Sequence, residues 1–155
     1  MARITAFIES GTSVTINGGE HIWYSDEPAS QGGTDQGPTP YEMLLGSLAA
    51  CTALTLRLYA DRKGIALKWV RAEYEYDRIH AKDCEECEST EQGLIERVQA
   101  FITLGGSFDD AQRTRLEEIA GRCPVHKTLT HGMNIFDQVR FMEGENGMVA
   151  GPAAT

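Results

Sequence analysis

The reactive chemistry in this sequence is concentrated in four cysteines. Two stand alone, Cys51 in "SLAACTALTL" and Cys123 in "GRCPVHKTL", and two form the C-x-x-C of "DCEEC", Cys84 and Cys87. A thiol does nucleophilic, redox or metal-binding chemistry through its thiolate, so the surroundings of each sulfur decide its use. Cys51 and Cys123 are far apart in the chain. Joint chemistry requires that the fold bring them together.

Cys123 stands immediately before Pro124, a residue suited to the first position of a helix. That makes Cys123 an N-cap, where free backbone N–H groups and the helix dipole favour negative charge on sulfur. Arg122 and Lys127 add positive charge, and His126 lies one turn on, able to exchange a proton. The plainer alternative is that "RCP" only ends one helix and starts another. Cys51 lies mid-way along a helix that is apolar nearly all round, where a free cysteine is ordinarily a small core hydrophobe. On local physics alone Cys123 is the better-activated thiol.

Cys84 and Cys87 supply half of a zinc site, and there is no second C-x-x-C. His80, four residues earlier, could complete a set together with a carboxylate. Glu85 and Glu86 oppose thiolate formation, which speaks against a thioredoxin-like role. The preferred reading is a solvated turn with a thiol pair open to reversible oxidation.

The elements that position these groups follow from periodicity. "RITAFIES" and "SVTIN" alternate apolar and polar residues, and "NGGE" supplies a turn before "HIWYSDE", giving a short antiparallel meander. "PASQGGTDQGPTP" is a glycine- and proline-rich loop without period. With Thr39 as N-cap and Pro40 in the first turn, a helix runs from about Tyr41 to Arg62 and stops at Gly64. "LKWVRAEYEYDRIH" is a long strand with Trp69, Arg71, Glu73, Glu75 and Asp77 on one face and Val70, Ala72, Tyr74 and Tyr76 on the other. β-Branched residues and a glycine stop favour a strand over a helix for "LIERVQAFITLGG". "SFDDAQRTRLEEIAGR" is an amphipathic helix with Phe108, Ala111, Leu116, Ile119 and Ala120 inward. A short helix in "PVHKTLTH" and a final strand in "MNIFDQVRF" complete an α+β order. Residues 1–141 are expected to form one domain, and 142–155 a flexible tail.

The 155 residues, 41% of them hydrophobic, suffice for one real core. A formal net charge of −9 argues against nucleic acid and anionic membranes as partners, which demand a basic surface. "MARITAFIES" lacks the basic-then-apolar run of a signal peptide. "MLLGSLAACTALTLRLYA" carries too many polar residues for a bilayer span, so a buried helix in a cytoplasmic protein is expected. In that compartment cysteines point to catalysis, redox sensing or metal before structural disulfides.

"GPTPYEMLLGSLAACTALTLRLYADRKG" together with "RLEEIAGRCPVHKTL" resembles the OsmC/Ohr (osmotically inducible protein C / organic hydroperoxide resistance) peroxidase family. The likeness covers roughly residues 20 to 137 and is greatest to the small OsmC-type domain also found fused to hydrolases. It implies antiparallel sheets packed around a long central buried helix, in an intertwined homodimer with two active sites at the subunit interface. It also implies a thiol-dependent peroxidase acting on organic hydroperoxides, and on hydrogen peroxide as a second substrate. By resemblance Cys51 attacks the peroxide and Cys123 resolves the product to a disulfide, which an external thiol then reduces. No cofactor, metal, nucleic acid or membrane is implied. These roles invert the local reading of the two thiols.

One branch of the family also uses an arginine and a glutamate near the nucleophile, the glutamate directly after the proline that precedes the central helix. Here Pro40 is followed by Tyr41, and Glu42 comes one place later. Glu42 and Cys51 are nine residues apart and point to opposite helix faces, so Glu42 is better placed to interact with the helix N-terminus. No arginine carries over by motif: Arg57 is six positions past Cys51, while Arg3, Arg71 and Arg122 remain open. His21, Asp26 and Glu27 precede the glycine-rich loop and could approach the site, or simply end a strand. The alternative to an enzyme is a non-catalytic OsmC-like module that binds a small electrophile or a metal.

Overall fold

The computed structural model describes residues 3–81 and 93–141. The Cys84–Cys87 pair and the expected tail lie outside them. The chain divides into two compact units, one of residues 1–40 and 134–155, the other of residues 41–133.

In the first unit, β1 (Thr5–Phe7), β2 (Val14–Gly18) and β3 (His21–Ser25) form the expected meander, an antiparallel sheet in sequence order. Gly18 pairs with His21 across a turn in which Gly19 adopts φ +63°, a conformation open to glycine at little cost. The loop that follows is organised by Asp26, which is 2% exposed. Its carboxylate accepts the N–H groups of Glu27, Thr34 and Gln36 at 2.8, 3.1 and 3.2 Å, and the Thr34 hydroxyl at 2.6 Å.

The second unit holds α1 (Pro40–Lys63, its first residue assigned to the other unit), β4 (Ala66–His80), β5 (Leu94–Ser107), α2 (Asp110–Ala120) and α3 (Pro124–His131). The α1 helix ends in a Schellman arrangement: Gly64, at φ +65°, donates to the Asp61 carbonyl, and Ile65 donates to the Ala60 carbonyl. β4 and β5 form one long antiparallel hairpin, from Ala66 opposite Ser107 to His80 opposite Leu94. Strand is therefore the outcome for "LIERVQAFITLGG". A bulge between Leu67 and Trp69 sits where the Trp69 ring lies against Gly105, leaving no room for a side chain there. Asp109 caps α2 by accepting the Gln112 N–H, while the Gln112 side chain returns a bond to the Asp109 N–H.

Leu56 and Ala60 of α1, Leu67 of β4, and Leu116 and Ile119 of α2 form the core of this unit. Phe108 and Ala120 pack against them as expected, whereas Ala111 is exposed on the first turn of α2. By length and composition α1, with a mean hydropathy of 1.4, could cross a bilayer. Here its stripe Leu48, Thr52, Leu56 and Ala60 is spent on the core.

The strand expected in "MNIFDQVRF" does not form. Phe136 and Phe141 are 89% and 93% exposed, and residues 132–141 join neither sheet. Alternation in sequence reports a face that can be buried, but a strand exists only where an edge accepts its hydrogen bonds.

Candidate active site

The sequence sets α1 with one buried stripe at every fourth residue, from Leu48 to Ala60. Cys51 is one residue off that stripe, about 100° around the helix from Thr52, and is half-buried. Within the single chain the other side of the helix stays open. Leu44, Leu54 and Leu58, on the Cys51 side, are 39%, 60% and 61% exposed. The thiol thus lies beside the packed face rather than within it. The Cys51 carbonyl accepts the Thr55 hydroxyl at 2.7 Å, and Thr52, fully buried, shares a 2.9 Å hydrogen bond with the Tyr74 hydroxyl of β4.

Cys123 occupies the N-cap of α3, with φ −66° and ψ 143° and Pro124 in the first turn, as the sequence predicts. Its Sγ accepts the His126 N–H at 3.2 Å, and the residue is 0% exposed. A helix N-terminus has N–H groups without intrahelical partners, and a sulfur there satisfies one of them. Cys51 and Cys123 fall in the same compact unit, on different helices, and both are free thiols.

Between the two helices and the hairpin lies a cavity of about 320 Å³. Its apolar lining is Leu48, Val98, Ala100 and Leu129; its polar lining is Tyr74, Glu96, His126 and Thr130. Leu48 is one turn before Cys51 and His126 is one turn after Cys123, so the helix segment around each thiol contributes to one wall.

At the edge of this cavity the hairpin register sets Arg78 opposite Glu96. Arg78 donates to a Glu96 oxygen at 3.1 Å and to the Tyr76 hydroxyl at 3.3 Å, while Tyr76 donates to Glu96 at 3.1 Å. Tyr41, the residue after Pro40, stacks on Tyr76 with ring centroids 4.5 Å apart. The Arg78 guanidinium, and after it the Tyr76 hydroxyl, hold the Glu96 carboxyl below the usual carboxylate range. The Tyr76 phenol is pushed up, chiefly by its hydrogen bond with Tyr41.

Several of the other candidates have local partners. Arg57 donates to the Leu67 and Lys68 carbonyls at 2.6 and 2.8 Å, tying α1 to the start of β4. Arg71 pairs with Glu73 at 2.9 Å, and Arg122 lies 3.8 Å from Glu118. Glu42 sits in the first turn of α1, where the dipole favours an acid. Arg3, His21, Asp26 and Glu27 belong to the N-terminal unit, where Asp26 is committed to its own loop. Among the described residues, no three His, Cys, Asp or Glu side chains cluster as metal ligands. Sequence reading missed Glu96 and Tyr74 as cavity residues. Strand alternation gave the face of Tyr74, but the placement of Glu96 depends on register across a long connection.

The chain thus sets a long helix against an antiparallel hairpin and carries one half-buried and one N-capping free thiol. The OsmC-like protein family model matches residues 33–136, and the chain belongs to that family. It is similar in structure to an OsmC-like protein from Mycoplasma pneumoniae, at 21% identity and a TM-score of 0.61, over 84% of this chain and 87% of that one. The organic hydroperoxide resistance protein OhrB of Bacillus subtilis aligns at 20% identity and a TM-score of 0.56, over 83% and 89% of the two chains. An organic hydroperoxide resistance protein OsmC from Legionella pneumophila aligns at 18% identity and 0.58, over 83% and 88%. No curated protein sequence matches the chain.

Proposed function

We propose that this protein is a cysteine-based peroxidase that reduces organic hydroperoxides, with Cys51 as nucleophile and Cys123 as resolving thiol. The observation that carries the reading is the pair of free thiols in distinct environments within an OsmC family chain. Cys51, half-buried beside the packed stripe, is the more accessible of the two thiols within the chain. Cys123, fully buried and held at a helix N-terminus, is sheltered from direct attack. The similarity to organic hydroperoxide resistance proteins supports the same substrate class.

The Cys51 thiolate attacks the outer peroxide oxygen, the O–O bond breaks, and the leaving alkoxide takes a proton to become the alcohol. Cys51 is then a sulfenic acid. The Cys123 thiol attacks its sulfur, releasing water and forming a disulfide. Two equivalents of an external thiol return both cysteines to the reduced form and leave as their own disulfide.

The working unit in this reading is a homodimer in the cytoplasm, with residues 1–141 acting as one domain. Leu44, Cys51 and Leu58 recur every seventh residue, and Leu54 joins them on one exposed side of α1. A seven-residue apolar seam is the pattern by which one helix packs along another. The partner helix of a second copy would cover this seam and close the site around Cys51.

Peroxide consumption with dithiothreitol as reductant tests the assignment. Turnover that disappears in Cys51→Ser supports it. Unchanged turnover in that variant removes Cys51 from catalysis, and no turnover by the wild-type protein favours a binding module instead.

A further inference from the structure

The cavity between α1, the hairpin and α3 has an uneven chemical character. Leu48, Val98 and Leu129 give it an apolar wall that suits an aliphatic or aromatic chain. Among the described residues Glu96, on β5, is the one acidic residue in its lining. Its carboxylate is held by Arg78 and Tyr76, neither of which lines the cavity. A ligand in the cavity therefore meets the Glu96 carboxylate directly, while the compensating Arg78 stands beside it across the hairpin, at the cavity edge.

We propose that Glu96 makes this cavity selective by charge: it admits the apolar chain of a neutral hydroperoxide and disfavours one that ends in a carboxylate. The selectivity rests on the peroxidase reading for its turnover, but not for binding. At short range and with partial exposure to water, one like charge in the lining weakens an anionic ligand by about five-fold. The chain's net charge of −9 also repels anions, and salt screens that long-range effect more strongly than it screens a contact in the cavity. Glu75 lies on the opposite face of the same hairpin, paired in register with Gln99, and serves as its control.

The test compares kcat/KM for a straight-chain alkyl hydroperoxide with that for a hydroperoxy carboxylate of equal length. In parallel, calorimetry reads binding of 1-octanol and of octanoate to the same proteins. Glu96→Gln is expected to narrow the gap between neutral and anionic ligands about five-fold. Arg78→Gln, which leaves the carboxylate without its cation, is expected to widen it. Glu75→Gln removes the same formal charge and leaves the gap unchanged. Opposite shifts from two surface substitutions cannot come from a general loss of folding. Equal shifts in Glu96→Gln and Glu75→Gln, no shift in Glu96→Gln, or no binding of either octyl ligand would overturn the inference. If binding discriminates as described and neither hydroperoxide is turned over, the peroxidase reading fails while the charge selection stands.

Discussion

The Thr52 hydroxyl and the Tyr74 hydroxyl lie 2.9 Å apart, one residue along α1 from Cys51. Thr52 is fully buried, so this bond fixes the rotation of α1 against β4 and with it the direction in which the Cys51 side chain points. Thr52→Val keeps the volume and removes the bond to the half-buried Tyr74 hydroxyl, a loss of about 1 kcal/mol. A denaturant titration should show that loss, and the rate of Cys51 alkylation should change with it. Unaltered stability would mean that packing alone sets the helix rotation.

The Cys123 sulfur has a structural duty separable from the resolving role proposed for it. Serine is a better N-cap than alanine by about 1 kcal/mol. Cys123→Ser should therefore stay near wild-type stability while losing disulfide formation, whereas Cys123→Ala should lose both. Thermal melts of the two variants read the difference. Equal destabilisation would show that the bond from the His126 N–H contributes nothing to α3.

Much of this site is legible in the sequence. The Pro124 signal places Cys123 at a helix N-cap, and Gly64 stops α1 where a left-handed residue is needed. Strand alternation correctly puts Tyr74 and Tyr76 on one face, the face that meets α1 in the structure. The register that sets Arg78 opposite Glu96 is not legible, because it depends on where two strands meet across a long connection. The uncovered side of α1 is equally hidden: an apolar residue pattern shows what can be buried, not what buries it. The expected strand in "MNIFDQVRF" fails for the same reason, since alternation does not name a pairing edge.

Asp26 gives the N-terminal unit a pH dependence. Hydrogen bonds from Thr12 and Thr34 are the main cause of a carboxyl pKa held well below the usual range, against the opposing effect of burial. A lowered folded pKa stabilises the protein above the unfolded value, near 4, and the contribution is lost as pH falls below it. Asp26→Asn puts an amide where three N–H groups donate, so its melting temperature should lie below wild type at pH 7. The gap should shrink in melts taken below about pH 4. A gap that stays constant with pH would mean the carboxylate charge is not what holds the loop.

The apolar side of α1 makes a prediction about assembly. Leu58→Glu places a charge on the seam one heptad after Cys51, where the chain alone leaves the side chain 61% exposed. In a monomer the substitution costs little, since the residue already meets water. In a homodimer closed by this seam it should yield monomers and lower peroxide turnover together. Sedimentation at micromolar concentration reads the mass, and a Leu58→Glu dimer of unchanged stability would rule this seam out.

The order of the two thiols is measured most directly by mass spectrometry after one equivalent of an alkyl hydroperoxide. In the Cys123→Ser variant a single added oxygen is expected, mapped to Cys51 and reversed by dithiothreitol. In the Cys51→Ser variant none is expected. An added oxygen on Cys123 in Cys51→Ser, with none on Cys51 in the reciprocal variant, would contradict the assignment and make the N-capping thiol the nucleophile.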